Sequence, residues 1–224
     1  MGFVSIFGIP LENLLTVAIG GYLLGSIPFG LLLTRMAGLG DIRNIGSGNI
    51  GATNVLRTGN KGLALATLLL DGGKGAAAVL ITGSFFNDLT LCAIAGAAAF
   101  LGHLFPIWLK FKGGKGVATA LGTWLALAWP VGLLACLTWL IMAVVFRYSS
   151  LSALVAVALA PVYAIWLGTP AMICFGIGVA ILCWIRHHEN IRRLLKGEEP
   201  KIGKKKPAPP EAATQMGHNG GPKL

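Results

Sequence analysis

Apolar residues in this chain come in unbroken runs, not in the stripes of a water-facing helix, and the runs set the architecture. A membrane-crossing helix needs about 20 mostly apolar residues. Runs near residues 12 to 35, 62 to 83, 89 to 109, 117 to 129, 131 to 146, 151 to 168 and 170 to 186 predict seven spans. The fourth and fifth are short and meet at Trp129-Pro130, where proline forces a turn or kink, so one of them can be a re-entrant half-span. The expected fold class is all-α, a polytopic integral membrane helix bundle of about seven transmembrane helices.

The polar gaps between the runs carry the orientation. Arg35, Arg43, Arg57 and Lys61 follow the first run, and Lys110, Lys112 and Lys115 the third. Arg147 follows the fifth, and Arg186, Arg192, Arg193 and Lys196 the seventh. All fall on one side, whereas residues 1 to 11, Ser84 to Asp88, Trp129-Pro130 and Gly168 to Pro170 hold no Lys or Arg. Cytoplasmic loops carry the basic excess, so the N-terminus is expected outside and the C-terminus in the cytoplasm. Residues 1–196 are read as a single transmembrane catalytic domain. Residues 197–224, rich in Pro, Gly and Lys without apolar periodicity, are read as a disordered basic cytoplasmic tail whose Lys204 to Lys206 cluster can touch anionic lipid.

Composition agrees with the runs. The chain is 55% hydrophobic and 12% charged, against roughly 45–50% and 25% in soluble domains, and its mean hydropathy is +0.75. A net charge of +10, from 18 Lys and Arg against 8 Asp and Glu, would suggest nucleic acid on a soluble face. Here the charges sit in short interhelical gaps, which excludes nucleic acid and points to anionic lipid headgroups or phosphorylated substrates. Cys92, Cys136, Cys174 and Cys183 fall inside apolar runs, form no CxxC pair and stand near no histidine at ligand spacing, so they read as small hydrophobes and no metal is expected. The N-terminus has no basic n-region and carries Ile6 where a myristoylation signal needs Ser or Thr, so the first run is kept as a span.

Three polar clusters gather on the basic side. In DIRNIGSGNIGATNVLRTGNKG, residues 41 to 62, the glycines free the backbone to turn its N–H groups inward, and Ser47, Thr53 and Asn54 add donors. Arg57 adds a planar fork suited to two phosphate oxygens, although a plain flexible loop explains the same composition. In GHLFPIWLKFKGGKGVAT, Gly113, Gly114, Lys115 and Gly116 directly precede an apolar run, so a glycine-lysine loop sits at a helix N-terminus, where free N–H groups favour phosphate. It is not a Walker loop, because Gly116 follows Lys115 where Ser or Thr is needed. In RHHENIRRLLKGEE, His187 and Asn190 share a helix face at the membrane boundary, where a histidine serves as a base, a phosphate ligand or a mere anchor. Within the second run, Asp71 and Lys74 are spaced to pair on one face, which reads as a structural ion pair beneath the site.

With GSIPFG, LLLDGGKG and RYSSL, these clusters closely resemble the bacterial acyl-phosphate glycerol-3-phosphate acyltransferase family, known as PlsY, over residues 25 to 197. The resemblance implies a seven-span enzyme with a cytoplasm-facing site. It would transfer a fatty acyl group from acyl phosphate to the 1-hydroxyl of glycerol 3-phosphate, giving 1-acyl-glycerol 3-phosphate, the first acylation in phospholipid synthesis. Carried over by position, Ser47, Thr53, Asn54 and Arg57, Gly113 to Gly116, and Ser150 are substrate-binding, and His187 and Asn190 are catalytic. No cofactor and no obligate protein partner are implied; the partners are the two substrates and membrane lipids.

The residue inventory suits that chemistry. An acyl phosphate is a mixed anhydride whose phosphate departs readily, so transfer needs positioning and charge neutralisation more than a protein nucleophile. The chain has no GxSxG elbow and no HxxxxD motif, since Trp108, Arg192 and Arg193 stand five residues after His103, His187 and His188. The base is either His187 or the departing phosphate. A small organic-phosphate transporter would also collect basic, glycine-rich elements, but such proteins usually show two related halves, and these clusters are mutually dissimilar.

Overall fold

The computed structural model describes residues 5–6 and 8–203. A two-residue hairpin, β1 (Ser5–Ile6) and β2 (Ile9–Pro10), precedes ten α-helices among the described residues. α1 (Leu11–Gly25) and α2 (Phe29–Met36) together occupy the first apolar run. They break at Ser26 to Pro28, because Pro28 lacks an N–H and disfavours helix in the residue before it. The glycine-rich segment that follows is irregular except for the short α3 (Ala52–Val55). α4 (Lys61–Phe86) begins where Asn60 Oδ1 accepts from Leu63 N–H, and α5 (Leu89–Leu104) where Asp88 Oδ1 accepts from Thr90 and Leu91 N–H, each satisfying donors a helix start leaves unpaired.

α6 (Val117–Leu127) and α7 (Trp129–Phe146) meet at Ala128, with Pro130 in the first turn of α7, where its missing N–H costs nothing. α8 (Ser149–Leu167) and α9 (Pro170–Arg186) follow, and α10 (His188–Leu195) leaves α9 at 64°. All seven expected runs are therefore helical, but they are not equal. Among the described residues five segments, with α1 and α2 counted together, are long and apolar enough to cross a membrane, six if the bent α9 and α10 pair is one span. α6, with 11 residues, reaches only about 16 Å at 1.5 Å per residue, about half the hydrocarbon thickness. Of the two short runs, it is the fourth that stops short.

In lipid there is little hydrophobic drive between helices, so packing rests on close approach. α1 lies on α5 and α4 on α6 in this way. Gly21 and Gly25, the small-residue pair of the first run, face Ala95 and Ala99 of α5, and a Cβ at Gly25 would overlap the Ala99 carbonyl. The pair thus joins helices within the chain. The main core lies between α5, α6, α8 and α9 around Trp124, Phe100 and Phe175, with the Trp124 and Phe175 rings edge-on at 5.1 Å. α7 turns Ile141, Val144 and Val145 outward, as a lipid-facing helix does. Asp71 and Lys74 are both buried and paired at 2.9 Å, Lys74 also donates to the Ile27 carbonyl at 2.8 Å, and His103 Nδ1 lies 3.6 Å from the same Asp71 oxygen. The pair is the structural one the spacing predicts, fastening the break between α1 and α2 to α4.

Candidate active site

The loop between α2 and α4 is shaped by its own side chains. At its start, Asp41 accepts from Arg35 at 2.8 Å and from Arg43 Nε at 2.9 Å, and the Arg43 bonds, ahead of those from Arg35, hold the Asp41 carboxyl well below the usual carboxylate range. Asn54, almost fully buried, is the keystone. Its amide nitrogen donates to the carbonyls of Ile42, Ile45 and Asn49 at 2.8–3.0 Å. Its oxygen accepts from Ser47 N–H at 3.0 Å, from Ser47 Oγ at 3.3 Å and from Arg57 Nη1 at 3.4 Å. Expected as a donor toward an anion, Asn54 instead has both ends of its amide engaged within the loop, where it orients Ser47 and Arg57. Thr53 Oγ1 lies 3.2 Å from Ser149 Oγ, tying the loop to the first turn of α8, beside Ser150.

The glycine-lysine loop is held from two sides. Gly113 N–H donates to Leu104 O at 3.1 Å and Gly114 N–H to His103 O at 3.0 Å, satisfying carbonyls that the end of α5 leaves free. These two amides therefore terminate α5. Their own carbonyls accept from Arg186, Nη2 to Gly113 O at 2.9 Å and to Gly114 O at 3.2 Å. Gly116 has φ 80° and sits against the Phe100 ring, so no other residue fits there. Lys115, between these fixed glycines, is the group the loop offers.

Lys115 Nζ donates to Asn190 Oδ1. Asn190 Nδ2 donates to Glu199 Oε1 at 2.6 Å, Ser150 Oγ donates to the same oxygen at 2.6 Å, and Arg193 Nε donates to Glu199 Oε2 at 2.7 Å. Ser150, His187, Asn190 and Glu199 are all buried. Burial pulls the Lys115 pKa down to about 8, with Glu199 opposing and Arg193 reinforcing the shift. Desolvation by its neighbours also lowers the pKa of the exposed Arg57, again opposed by Glu199, so the first loop and the segment after the last helix share one electrostatic neighbourhood. Burial raises the Glu199 carboxyl, but the bonds from Ser150, Asn190 and Arg193 outweigh it and leave Glu199 below its ordinary value.

His187 lies just past the end of α9, its Nδ1 2.7 Å from Cys183 O. A carbonyl only accepts, so the proton is assigned to Nδ1 and Nε2 carries the free lone pair. Burial, then the Lys115 charge, lower the His187 pKa to about 4, so its imidazole is neutral near pH 7. Cys183 Sγ also lies 3.4 Å from Nδ1, which corrects the reading that no cysteine stands near a histidine. That nitrogen carries the proton, however, so it cannot take one from the thiol.

The match to known proteins covers this arrangement up to Gly197. The model of the family described as glycerol-3-phosphate acyltransferase matches residues 15–197. The chain belongs to the glycerol-3-phosphate acyltransferase family. It is 64% identical over 200 residues to the glycerol-3-phosphate acyltransferase of Rhodospirillum rubrum, covering 86% of this chain and 93% of that one. To that of Paramagnetospirillum magneticum it is 61% identical over 194 residues, covering 87% and 96%. Among solved structures it is similar to PlsY, an integral membrane glycerol 3-phosphate acyltransferase, in its glycerol 3-phosphate form. That match has a TM-score of 0.80 and 40% identity, covering 85% of this chain and 96% of that one. The lysophosphatidic acid form of PlsY gives a TM-score of 0.78 at the same identity.

Within this acyltransferase, the residues expected from sequence fall at one end of the bundle. Lys115, Asn190 and Ser150 share one hydrogen-bond network through Glu199, and Thr53 touches the residue beside Ser150. Sequence reasoning misses Arg186, whose partners are backbone carbonyls and leave no side-chain signal. It also misses Glu199, because residues 197–203, read as the start of a disordered tail, run back over α8. Ile202 and Arg147 exchange hydrogen bonds there, N–H to Arg147 O at 2.7 Å and Arg147 Nη2 to Ile202 O at 3.0 Å. The remainder of that segment, including Lys204 to Lys206, lies outside the described residues.

Proposed function

We propose that this chain transfers a fatty acyl group from acyl phosphate to the 1-hydroxyl of glycerol 3-phosphate at the cytoplasmic face of a bacterial inner membrane, releasing 1-acyl-glycerol 3-phosphate and phosphate. The observation that carries the reading is the meeting of Lys115, Ser150, Asn190 and Arg193 around Glu199, with Arg57 and His187 within electrostatic reach. Such a cluster suits phosphate groups, with Lys115 as a point charge and Arg57 as a bidentate fork. Family membership supplies the acceptor and reaction class, and anhydride chemistry suits an activated phosphate donor.

In this mechanism Lys115 and Arg57 hold phosphate oxygens, Ser150 and Ser47, whose hydroxyl protons go to Glu199 and Asn54, line the site beside them, and Asn190 keeps Lys115 in line. His187 Nε2 accepts the hydrogen bond of the glycerol hydroxyl and aims its oxygen at the acyl carbon. The C–O bond of the new ester forms as the bond between acyl carbon and phosphate oxygen breaks. The hydroxyl proton passes to the departing phosphate, because a histidine with a pKa of about 4 is a poor resting place for it near pH 7. Neutralising charge on the phosphates lowers the barrier without a covalent enzyme intermediate.

The orientation rests on the basic side of the bundle being the side where the site gathers, with the N-terminus periplasmic and seven crossings that count α6 as a short one. Purified protein in detergent, given glycerol 3-phosphate with acyl phosphate, acyl-CoA or acyl carrier protein in parallel, tests the donor. Lysophosphatidic acid should appear with acyl phosphate alone; product only from a thioester donor would overturn it.

A further inference from the structure

Glu199 lies two residues beyond the stretch matched by the family model, and the mechanism above gives it no contact with substrate. Yet it joins two groups named there, Ser150 and Asn190, to Arg193. Its Oε1 accepts from both Ser150 Oγ and Asn190 Nδ2, and its Oε2 from Arg193 Nε. The chemistry of these contacts is directional. A carboxylate only accepts and an ammonium only donates, so the amide between them has one possible orientation, with Nδ2 toward Glu199 and Oδ1 toward Lys115. Without the carboxylate, the bond from the ammonium to Oδ1 is the one contact left to orient the Asn190 amide among the described residues.

Resting on the proposed phosphate role of Lys115, we infer that Glu199 is a positioning residue for the reaction: through Asn190 it fixes the Lys115 ammonium, and through Ser150 it ties its own segment to the first turn of α8. The strap that carries it is anchored apart from the network, by Ile202 on Arg147 and by Lys201 over the Tyr148 ring at 5.5 Å. Lys115 also feels the charges of Glu189 and Arg193, while burial keeps the nearby Cys183 a neutral thiol, and Lys115 itself acts on His187. Of these, Glu199 is the largest influence keeping the ammonium protonated against its burial, so its charge and its hydrogen bonds act in the same direction.

Glu199→Gln separates positioning from simple support, read as kcat, KM for glycerol 3-phosphate and the alkaline limb of kcat/KM, with wild-type acyl transfer as the reference. The expected result is a fall in kcat/KM of about 10- to 100-fold, the scale of one charged hydrogen bond. It should come mainly from KM, and the alkaline limb should move to lower pH. Arg147→Ala, which loosens the strap outside the network, should lower the thermal midpoint yet leave the limb in place. Should Glu199→Gln fail to fold, Glu199→Asp keeps the charge but draws it back by one methylene, and it should raise the same KM. A folded Glu199→Gln or Glu199→Asp protein with wild-type KM and wild-type alkaline limb would overturn the inference. A wild-type protein without acyl transfer would instead overturn the proposed function.

Discussion

Replacing Lys115 by Ala removes the one charge that the glycine-lysine loop presents, and its effect can be sized from the surroundings. The ammonium is largely buried, its only hydrogen-bond partner among the described residues is Asn190 Oδ1, and Gly113, Gly114 and Gly116 leave the loop no slack to bring another cation forward. Losing one partner of a desolvated charged contact costs about 2–4 kcal/mol, which is about 30- to 900-fold in kcat/KM. Because Asn190 Oδ1 is then left facing a gap, the larger values are expected. Initial rates of lysophosphatidic acid formation, measured against glycerol 3-phosphate at fixed acyl phosphate, should show the loss mainly in KM. The same lysine sets a pH dependence. Its pKa is lowered to about 8 by burial, and the protonated form binds phosphate, so binding is intact below that value and is lost as pH rises through it. A phosphate monoester becomes a dianion above about 6, so kcat/KM should peak between the two. Lys115→Arg, charged throughout, should lose the alkaline limb. Wild-type KM in Lys115→Ala, or an alkaline limb retained in Lys115→Arg, would show that Lys115 is an ordinary structural charge.

Three other measurements bear on the chemistry and the fold. His187→Gln retains an acceptor but no useful base, and turnover should stay within about tenfold of wild type, whereas a loss of about 10²–10⁴-fold at saturating substrate would make His187 the general base. Cysteines introduced at Asn87 and Gly168 should react with an impermeant thiol reagent from the periplasm and one at Asn60 should not; labelling at 60 from outside would reverse the orientation. Gly25→Val forces a side chain against the Ala99 carbonyl and should destabilise the protein by about 1–3 kcal/mol, read as a lower thermal midpoint in detergent; an unchanged midpoint would mean α1 and α5 are not in close contact.

Sequence alone determined the helices and the end of the bundle where the polar clusters gather. Seven apolar runs became helices because a backbone in lipid must satisfy its own hydrogen bonds, and that demand leaves a direct compositional trace. Lys115, Ser150, His187 and Asn190 were legible because glycine, lysine and histidine in short gaps between spans are rare enough to stand out. What each polar group does was decided only in three dimensions. Asn54 and the Gly113 and Gly114 amides resemble free donors in one dimension, but their partners are carbonyls brought close by folding, and a carbonyl has no residue type. That one of two short runs stops at Trp129-Pro130 was legible, whereas which of them falls short, α6 with its 11 residues, was decided only in the fold. Glu199 was the costliest omission. A charged, glycine-flanked segment after the last span has the composition of a loose tail, and only its return across α8, fixed by Arg147 and Ile202, brings a carboxylate to the amide that orients Lys115.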